Sequence, residues 1–288
     1  MTPPFTTLIS AEQLRAATTD TAAALVVIDA GFDLADPGAG EAAWRAGHVP
    51  GSTYLHLERD LSGPPTDRDG SFRGRHPLPA RADFAATLGR CGITPASQVV
   101  ALDRQGAPYA ARLWWMLRWM GHEAVAVLDG GVAAWTAAGG SLDTGEPTIA
   151  AAPPYPERAA RVATVSADAL AGLLGRVRLI DARAGERFRG EVEPLDRAAG
   201  HIPGAQNRFF KDNLDGDGRF RPAGELRAVF EGLLGSDGPT QVVHQCGSGV
   251  TACHNLLAME HAGLTGSRLY PGSWSEWSAD PARPIARG

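Results

Sequence analysis

QVVHQCGSGVTACHNL, Gln241 to Leu256, joins a short apolar run to a glycine-rich loop and then to a helical pattern. Val242 and Val243 read as part of a buried strand, Gly247 and Gly249 as a tight loop, and the residues from about Val250 onward as a helix. Strand, loop and helix in that order are the repeating unit of an α/β sheet, whose ligands gather beyond the carboxyl ends of parallel strands. Cys246 stands at such an end.

The same plan occurs earlier in the chain. ALVVIDAGF, AGHVPGS and QVVALDRQGAPYAARLWWMLRWMG in the first half answer to VRLIDARAGERF, AGHIPGA and the Gln241 stretch in the second. Asp181 lies 152 residues beyond Asp29 and His201 lies 153 beyond His48, yet Cys246 is only 143 beyond Asp103 and Trp277 only 142 beyond Trp135. The first half therefore carries an insertion, and Ser62–Pro79, rich in Gly, Pro and charge, is the candidate. β-branched runs alternating with helical patterns predict an α/β fold of two tandem domains, each a mainly parallel sheet with helices on both faces. The expected boundaries are residues 1–142, a Pro- and Ala-rich linker at 143–160, and residues 161–288.

Composition narrows the function classes. In 288 residues, 44% hydrophobic and 20% charged, a formal charge of −5 gives no general attraction to nucleic acid or to an anionic membrane. MTPPFTTLIS has no basic segment followed by an apolar one, and no apolar run is long enough to span a bilayer, so a cytoplasmic protein is expected. Three scattered cysteines suit a reducing compartment, and their spacing matches neither a disulfide framework nor a zinc site; no metal and no cofactor is expected.

Among the three, Cys246 reads as the reactive one. A loop with Gly247 and Gly249 turns backbone N–H groups inward, and the following helix adds the positive end of its dipole, which together favour the nucleophilic thiolate. Cys91, at an apparent helix end, and Cys253, inside the apolar helix, read as packing residues. The first-half counterpart, DRQGAPYA, has Asp103 where the cysteine would be.

The tandem plan, the GHVPG and GHIPG motifs, the CGSGVTA loop and the YPGSWSEW ending resemble the two-domain rhodanese-type sulfurtransferases, and the resemblance covers nearly the whole chain. It implies ping-pong sulfur transfer: a small-molecule donor loads the cysteine as a persulfide, and a thiophilic acceptor, cyanide or a thiol such as that of thioredoxin, unloads it. Thiosulfate-using members carry two basic residues after the cysteine; Gly247 and Ser248 here are similar to the loop of 3-mercaptopyruvate-using members. The resemblance further implies catalytic roles for Cys246, Ser248, His76 and Asp60, with His76 facing the cysteine across the domain cleft. It implies binding roles for Gly247, Gly249, Val250 and Thr251 of the loop, and for Arg187 as the grip on the donor carboxylate. The family's second arginine follows an EP pair; Leu195 and Asp196 stand there in this chain, and Arg197 is the displaced candidate.

Other features read as architecture. His48 and His201 recur in both halves, as do Asp29 and Asp181, and Trp135 and Trp277, so structural roles are expected for all six. Arg183 and Arg189 read as salt-bridged or solvated, and Trp274 as either a wall of the site or core. Thiosulfate:cyanide transfer on the same fold is the alternative activity. A cysteine phosphatase would need an arginine at the sixth position after the cysteine, where this chain has Ala252. A non-enzymatic sulfur carrier fits the first half better than the second.

Overall fold

The computed structural model describes residues 3–19 and 24–288. The chain divides into two compact units: Met1–Ser62, Pro79–Arg161 and Gly216–Arg219 form one, and Gly63–Leu78, Val162–Asp215 and Phe220–Gly288 the other. Part of the first-half insertion thus clusters with the second unit. Residues 143–160 run along the first: Asp143 pairs with His48, Ala152 N–H donates to Gly89 O at 2.8 Å, and Tyr155 N–H to Ala85 O at 2.9 Å.

In the first unit, strands β1 (Leu8–Ile9), β2 (Leu25–Asp29), β3 (Thr53–Tyr54), β4 (Gln98–Leu102) and β5 (Val125–Leu128) form one sheet in the order β1-β5-β4-β2-β3. Helices α1 (Ala11–Thr19), α2 (Ala39–Ala46), α3 (Leu57–Asp60), α4 (Arg81–Arg90), α5 (Pro108–Trp119) and α6 (Gly131–Ala137) flank it. The second unit repeats the order: β6 (Ala163–Thr164), β7 (Arg178–Asp181), β8 (Ala205–Asn207), β9 (Val242–Gln245) and β10 (Arg268–Leu269) run β6-β10-β9-β7-β8. Its helices are α7 (Ala167–Leu173), α8 (Gly185–Arg189), α9 (Ala223–Leu234), α10 (Ala252–His261) and α11 (Ser273–Ala279). Every ladder in both sheets is parallel. The central strands are buried along their length, β9 completely, which is why they read as unbroken apolar runs instead of alternating ones.

The recurring residues hold equivalent places. His48 Nδ1 lies 2.8 Å from Trp44 O and its ring stacks on Trp44; His201 Nδ1 lies 2.8 Å from Phe188 O and its ring stacks on Phe188. Each histidine also bridges, backbone to backbone, to a segment that follows the last helix of its unit, His48 to Asp143 and His201 to Ala286. Trp135 and Trp277 lie in the cores and donate their indole N–H to Ser141 O and Pro284 O. All of this is architecture, as the repetition implied.

One buried carboxyl shows what the strand-end loop is built to hold. Asp103, just past β4, accepts from Gln105 N–H (3.0 Å) and Ala107 N–H (2.8 Å) on Oδ1, and from Tyr109 N–H and Ala110 N–H (both 3.0 Å) on Oδ2. Burial raises its pKa, and these four amide bonds oppose the rise. Asp103→Ala would leave four loop donors without an acceptor. Each buried, unsatisfied N–H costs on the order of 1–3 kcal/mol, so a loss of at least about 3 kcal/mol in urea unfolding is expected. An unchanged midpoint would show that the loop does not depend on the carboxylate.

Candidate active site

β9 delivers Cys246 to the same position in the second unit, at the carboxyl end of the central strand. The residue is 1% exposed, and its Sγ accepts a hydrogen bond from Gly249 N–H at 3.1 Å. Gly249 has φ +76, and a Cβ there would collide with the backbone of Pro271, so only glycine fits the turn that aims this amide at the sulfur. Val250 is buried; its carbonyl accepts from Cys253 N–H (3.0 Å) and that of Thr251 from His254 N–H (3.2 Å), which starts α10. Cys253 lies within α10, fully buried, its thiol 3.4 Å from Gly249 O. Cys91 belongs to the first unit, and burial pushes its thiol up to about 11, with Asp60 adding to the rise.

A second segment clamps the loop from behind. Ser273 Oγ accepts from Cys246 N–H (3.1 Å) and donates to Tyr270 O (3.0 Å); Trp274 N–H donates to Cys246 O (3.0 Å) and Ser275 N–H to Gly247 O (2.9 Å). Ser273 is wholly buried and has φ +54, a conformation non-glycine residues seldom adopt, so its surroundings enforce it. Trp274 is fully buried in the core cluster and donates its indole N–H to Ala198 O, which settles its alternative roles in favour of core.

The segment Gly63–Leu78 supplies the third side. Arg75 N–H donates to Ser275 Oγ at 2.9 Å, and Gly74, at φ +95, lies so close to Gly272 that a Cβ would come within 2.8 Å of its carbonyl oxygen. His76, 3% exposed, then shares a hydrogen bond of 2.8 Å between its Nδ1 and Ser248 Oγ. A hydroxyl next to the cysteine is thereby joined to a titratable ring. Asp60 belongs to the first unit, where it accepts from His56 N–H (2.9 Å) and pairs with Arg59 (3.1 Å) and Arg90 (3.6 Å).

Arg187, in α8, reaches the loop: a Cβ on Gly247 would lie 3.4 Å from its Nη1 and 3.0 Å from Nη2 of Arg75. Gly247 has no positive φ; two guanidiniums fill the space a side chain would take. Arg187 Nη2 donates to Glu193 (2.6 Å) and to Asp196 Oδ2 (3.0 Å), while Arg75 Nη1 pairs with the other oxygen of Asp196. Arg197 is exposed and donates to Ala279 O at 3.1 Å. Arg183 is buried, forked onto Asp181, 3.4 Å from Glu193 and over the Trp274 ring, and Arg189 is an exposed partner of Glu191. The arginines around the loop, Arg75, Arg183 and Arg187, are thus matched one for one by Asp181, Glu193 and Asp196. Among the described residues no group of three or more His, Cys, Asp or Glu side chains could hold a metal ion, and no helix is long and apolar enough to cross a membrane.

The site therefore unites Cys246, Gly247, Ser248, Gly249, His76 and Arg187, and adds Arg75, Asp196 and Ser273. Arg75 and Ser273 carry little sequence signal, because one comes from a loop far back in the chain and the other owes its place to a backbone angle. Asp196 was visible only as a departure from the family's arginine.

Two α/β units of one topology, the second with a cysteine in a strand-end amide loop, define a class of sulfur-handling proteins. The chain belongs to the rhodanese-like domain family, whose profile matches residues 10–138 and 166–280. It is 46% identical to a probable 3-mercaptopyruvate sulfurtransferase of Pseudomonas aeruginosa, over 98% of both chains. It is 41% identical to a putative thiosulfate sulfurtransferase of Mycobacterium tuberculosis, over 91% of this chain and 90% of the relative. A solved 3-mercaptopyruvate sulfurtransferase from Leishmania major superposes with a TM-score of 0.81 at 29% identity, covering 96% of this chain and 75% of that one.

Ser273 offers a test of how the loop is clamped. Ser273→Ala keeps the unfavourable backbone angle and loses the acceptor for Cys246 N–H, whereas Ser273→Gly loses the acceptor but relieves the angle. The alanine variant should be the less stable by about 1 kcal/mol in chemical unfolding. The opposite order would mean that the positive φ at this position carries no cost for a residue with a side chain.

Proposed function

We propose that this protein is a sulfurtransferase that moves a sulfane sulfur from 3-mercaptopyruvate to a thiophilic acceptor through a persulfide on Cys246. The observation that carries the reading is the strand-end loop with Cys246 Sγ under the Gly249 amide and Arg187 beside Gly247.

In the first half-reaction the Cys246 thiolate attacks the donor sulfur. An S–S bond forms, the donor's C–S bond breaks, and its electron pair goes to the departing carbon, which becomes the enolate of pyruvate. The proton leaving the donor's SH group quenches that carbon, giving pyruvate and a cysteine persulfide anion. Ser248 Oγ, hydrogen-bonded to His76 Nδ1, is the group beside the sulfur suited to carry the proton. In the second half-reaction cyanide or a thiolate attacks the outer sulfur, the S–S bond breaks, and the Cys246 thiolate returns. The chemistry is complete with the covalent persulfide and requires no cofactor. A thioredoxin-like thiol and a cytoplasmic setting suit the acceptor step, and neither nucleic acid nor membrane enters it.

The first unit supports the persulfide step by analogy. In a persulfide the outer sulfur stands two bonds from Cβ, as do the carboxylate oxygens of Asp103, which four loop amides bind. The equivalent loop in the second unit is the place to hold that negative charge.

Donor choice follows from the charge around the loop. With three guanidiniums balanced by three carboxylates, the site offers directed donors but no net positive charge, which suits a carboxylate better than the compact dianion thiosulfate. Thiosulfate is the second reading, supported by the mycobacterial relative's name. Steady-state assays on one preparation should give a higher kcat/KM for 3-mercaptopyruvate than for thiosulfate; the reverse order would reject the donor assignment and keep only the persulfide chemistry.

Cys246→Ser should remove transfer from either donor, and Cys91→Ala, in the first unit and with a thiol that burial keeps protonated at neutral pH, should keep most of it. Turnover by the Cys246→Ser protein beyond a trace would end the proposal.

A further inference from the structure

The segment that clamps the active loop has a counterpart in the unit without a nucleophile, and a comparison of the two singles out one hydroxyl. α6 opens at Gly131 with φ +55, and α11 opens at Ser273, 142 residues on, with φ +54. Two residues further, the first unit has Ala133 and the second has Ser275, 3% exposed. A buried hydroxyl thus stands where the other unit needs only a methyl group, and a buried hydroxyl requires a partner. The partner belongs to another stretch of chain: Ser275 Oγ accepts from Arg75 N–H at 2.9 Å. The amide of Ser275 meanwhile donates to Gly247 O at 2.9 Å.

These two bonds close a circuit. Gly247 is joined to Ser248, Ser248 Oγ lies 2.8 Å from His76 Nδ1, His76 follows Arg75, and Arg75 returns through Ser275 to Gly247. Five residues from three separate stretches form one ring, each link a covalent bond or a hydrogen bond of 2.9 Å or less. The ring matters because His76 stands where there is neither helix nor ladder strand. Gly63–Leu78 contains only the isolated bridge Thr66–Phe72, and Pro77, directly after His76, has no N–H to offer. The histidine is held against Ser248 by the bond at the neighbouring Arg75 amide and by Gly74 lying close to Gly272.

We infer that Ser275 is a positioning residue for the proton path: its hydroxyl sets the His76 ring against the Ser248 hydroxyl, while its amide holds the loop that carries Ser248. The inference rests on the sulfurtransferase reading, in which loading from 3-mercaptopyruvate moves a proton from the donor's SH group to its carbon. Unloading by cyanide moves no proton. Cyanide bonds to the outer sulfur, the S–S bond breaks, and its electron pair stays with Cys246 as the thiolate. Ser275 therefore bears on loading alone.

The test uses Ser275→Ala, which introduces the residue that the first unit has at this place, together with His76→Gln and the double variant. Single-turnover loading is followed as pyruvate released, and unloading as thiocyanate formed when cyanide is added. Ser275→Ala should slow loading by ~3–30-fold, a part of the ~10²–10⁴-fold that positioned proton transfer contributes, and should leave unloading unchanged. In the His76→Gln background it should cost nothing further, because the group it positions is gone. Unchanged loading would overturn the assignment. So would equal losses in loading and unloading, or losses that add in the double variant, since either would make Ser275 a plain support of the loop. A readout that needs no donor separates this inference from the reading beneath it. With nitrogen-15 in the histidines, the His76 ring signals, recognised by their absence from His76→Gln, should move in Ser275→Ala. Signals that stay in place overturn the inference whatever the kinetics. A wild type that does not load from 3-mercaptopyruvate, or a His76→Gln protein that loads at the wild-type rate, rejects the donor or the proton reading, and the His76 signals then decide the role of Ser275.

Discussion

Everything at the site follows from one constraint: a negative charge buried at the carboxyl end of a central parallel strand must be met by the amides of the loop that follows. The chain solves the problem twice. In the first unit the group is the carboxyl of Asp103, whose pKa burial raises, a rise that the four N–H groups closing around it oppose. In the second the group is the Cys246 sulfur, with Gly249 N–H directed at it. A carboxyl that no reaction touches makes the first loop a fixture, and in the function we propose a sulfur that is loaded and unloaded makes the second a reaction centre. Duplication kept the cradle and changed its occupant.

The requirement for a water-poor, preorganised loop explains the support around it. Ser273, Trp274 and Ser275 bind the backbone of Cys246 and Gly247 from one side, and the Gly63–Leu78 segment brings Arg75 and His76 to another. The arginines are spread over distant stretches of sequence and would repel one another if left alone. Asp181, Glu193 and Asp196 compensate them, which lets guanidinium groups lie side by side at low exposure. Such a neutralised cluster gives direction without excess charge, and so favours recognition of a planar carboxylate over simple attraction of any anion.

The parts of this arrangement that depend on local sequence were readable in advance. Alternating β-branched runs and helices announce parallel sheets, the repeated landmarks announce the duplication, and a cysteine between a strand and two glycines announces the loop. Residues that recur in both halves, such as His48 and His201, were recognisable as architecture because only one half has a nucleophile. Arg75 was not legible, since its place depends on which unit the Gly63–Leu78 segment joins, and charge in a Gly- and Pro-rich stretch reads as solvated loop. Ser273 was hidden for a different reason: nothing in Tyr-Pro-Gly-Ser states that the serine, next to a glycine, takes the positive φ. Arg197 drew notice by nearness in sequence to the family's arginine, while the guanidinium beside Arg187 comes from elsewhere.

The central claim is that Cys246 carries the sulfur between donor and acceptor. The direct measurement is the mass of the protein after a single addition of 3-mercaptopyruvate with no acceptor present, followed by peptide mapping. The account predicts a gain of one sulfur atom per chain, located on Cys246, released as the acceptor is added and matched by an equal amount of pyruvate. Pyruvate formed at full rate with no sulfur on Cys246, or with the sulfur on Cys91 or Cys253, would contradict it.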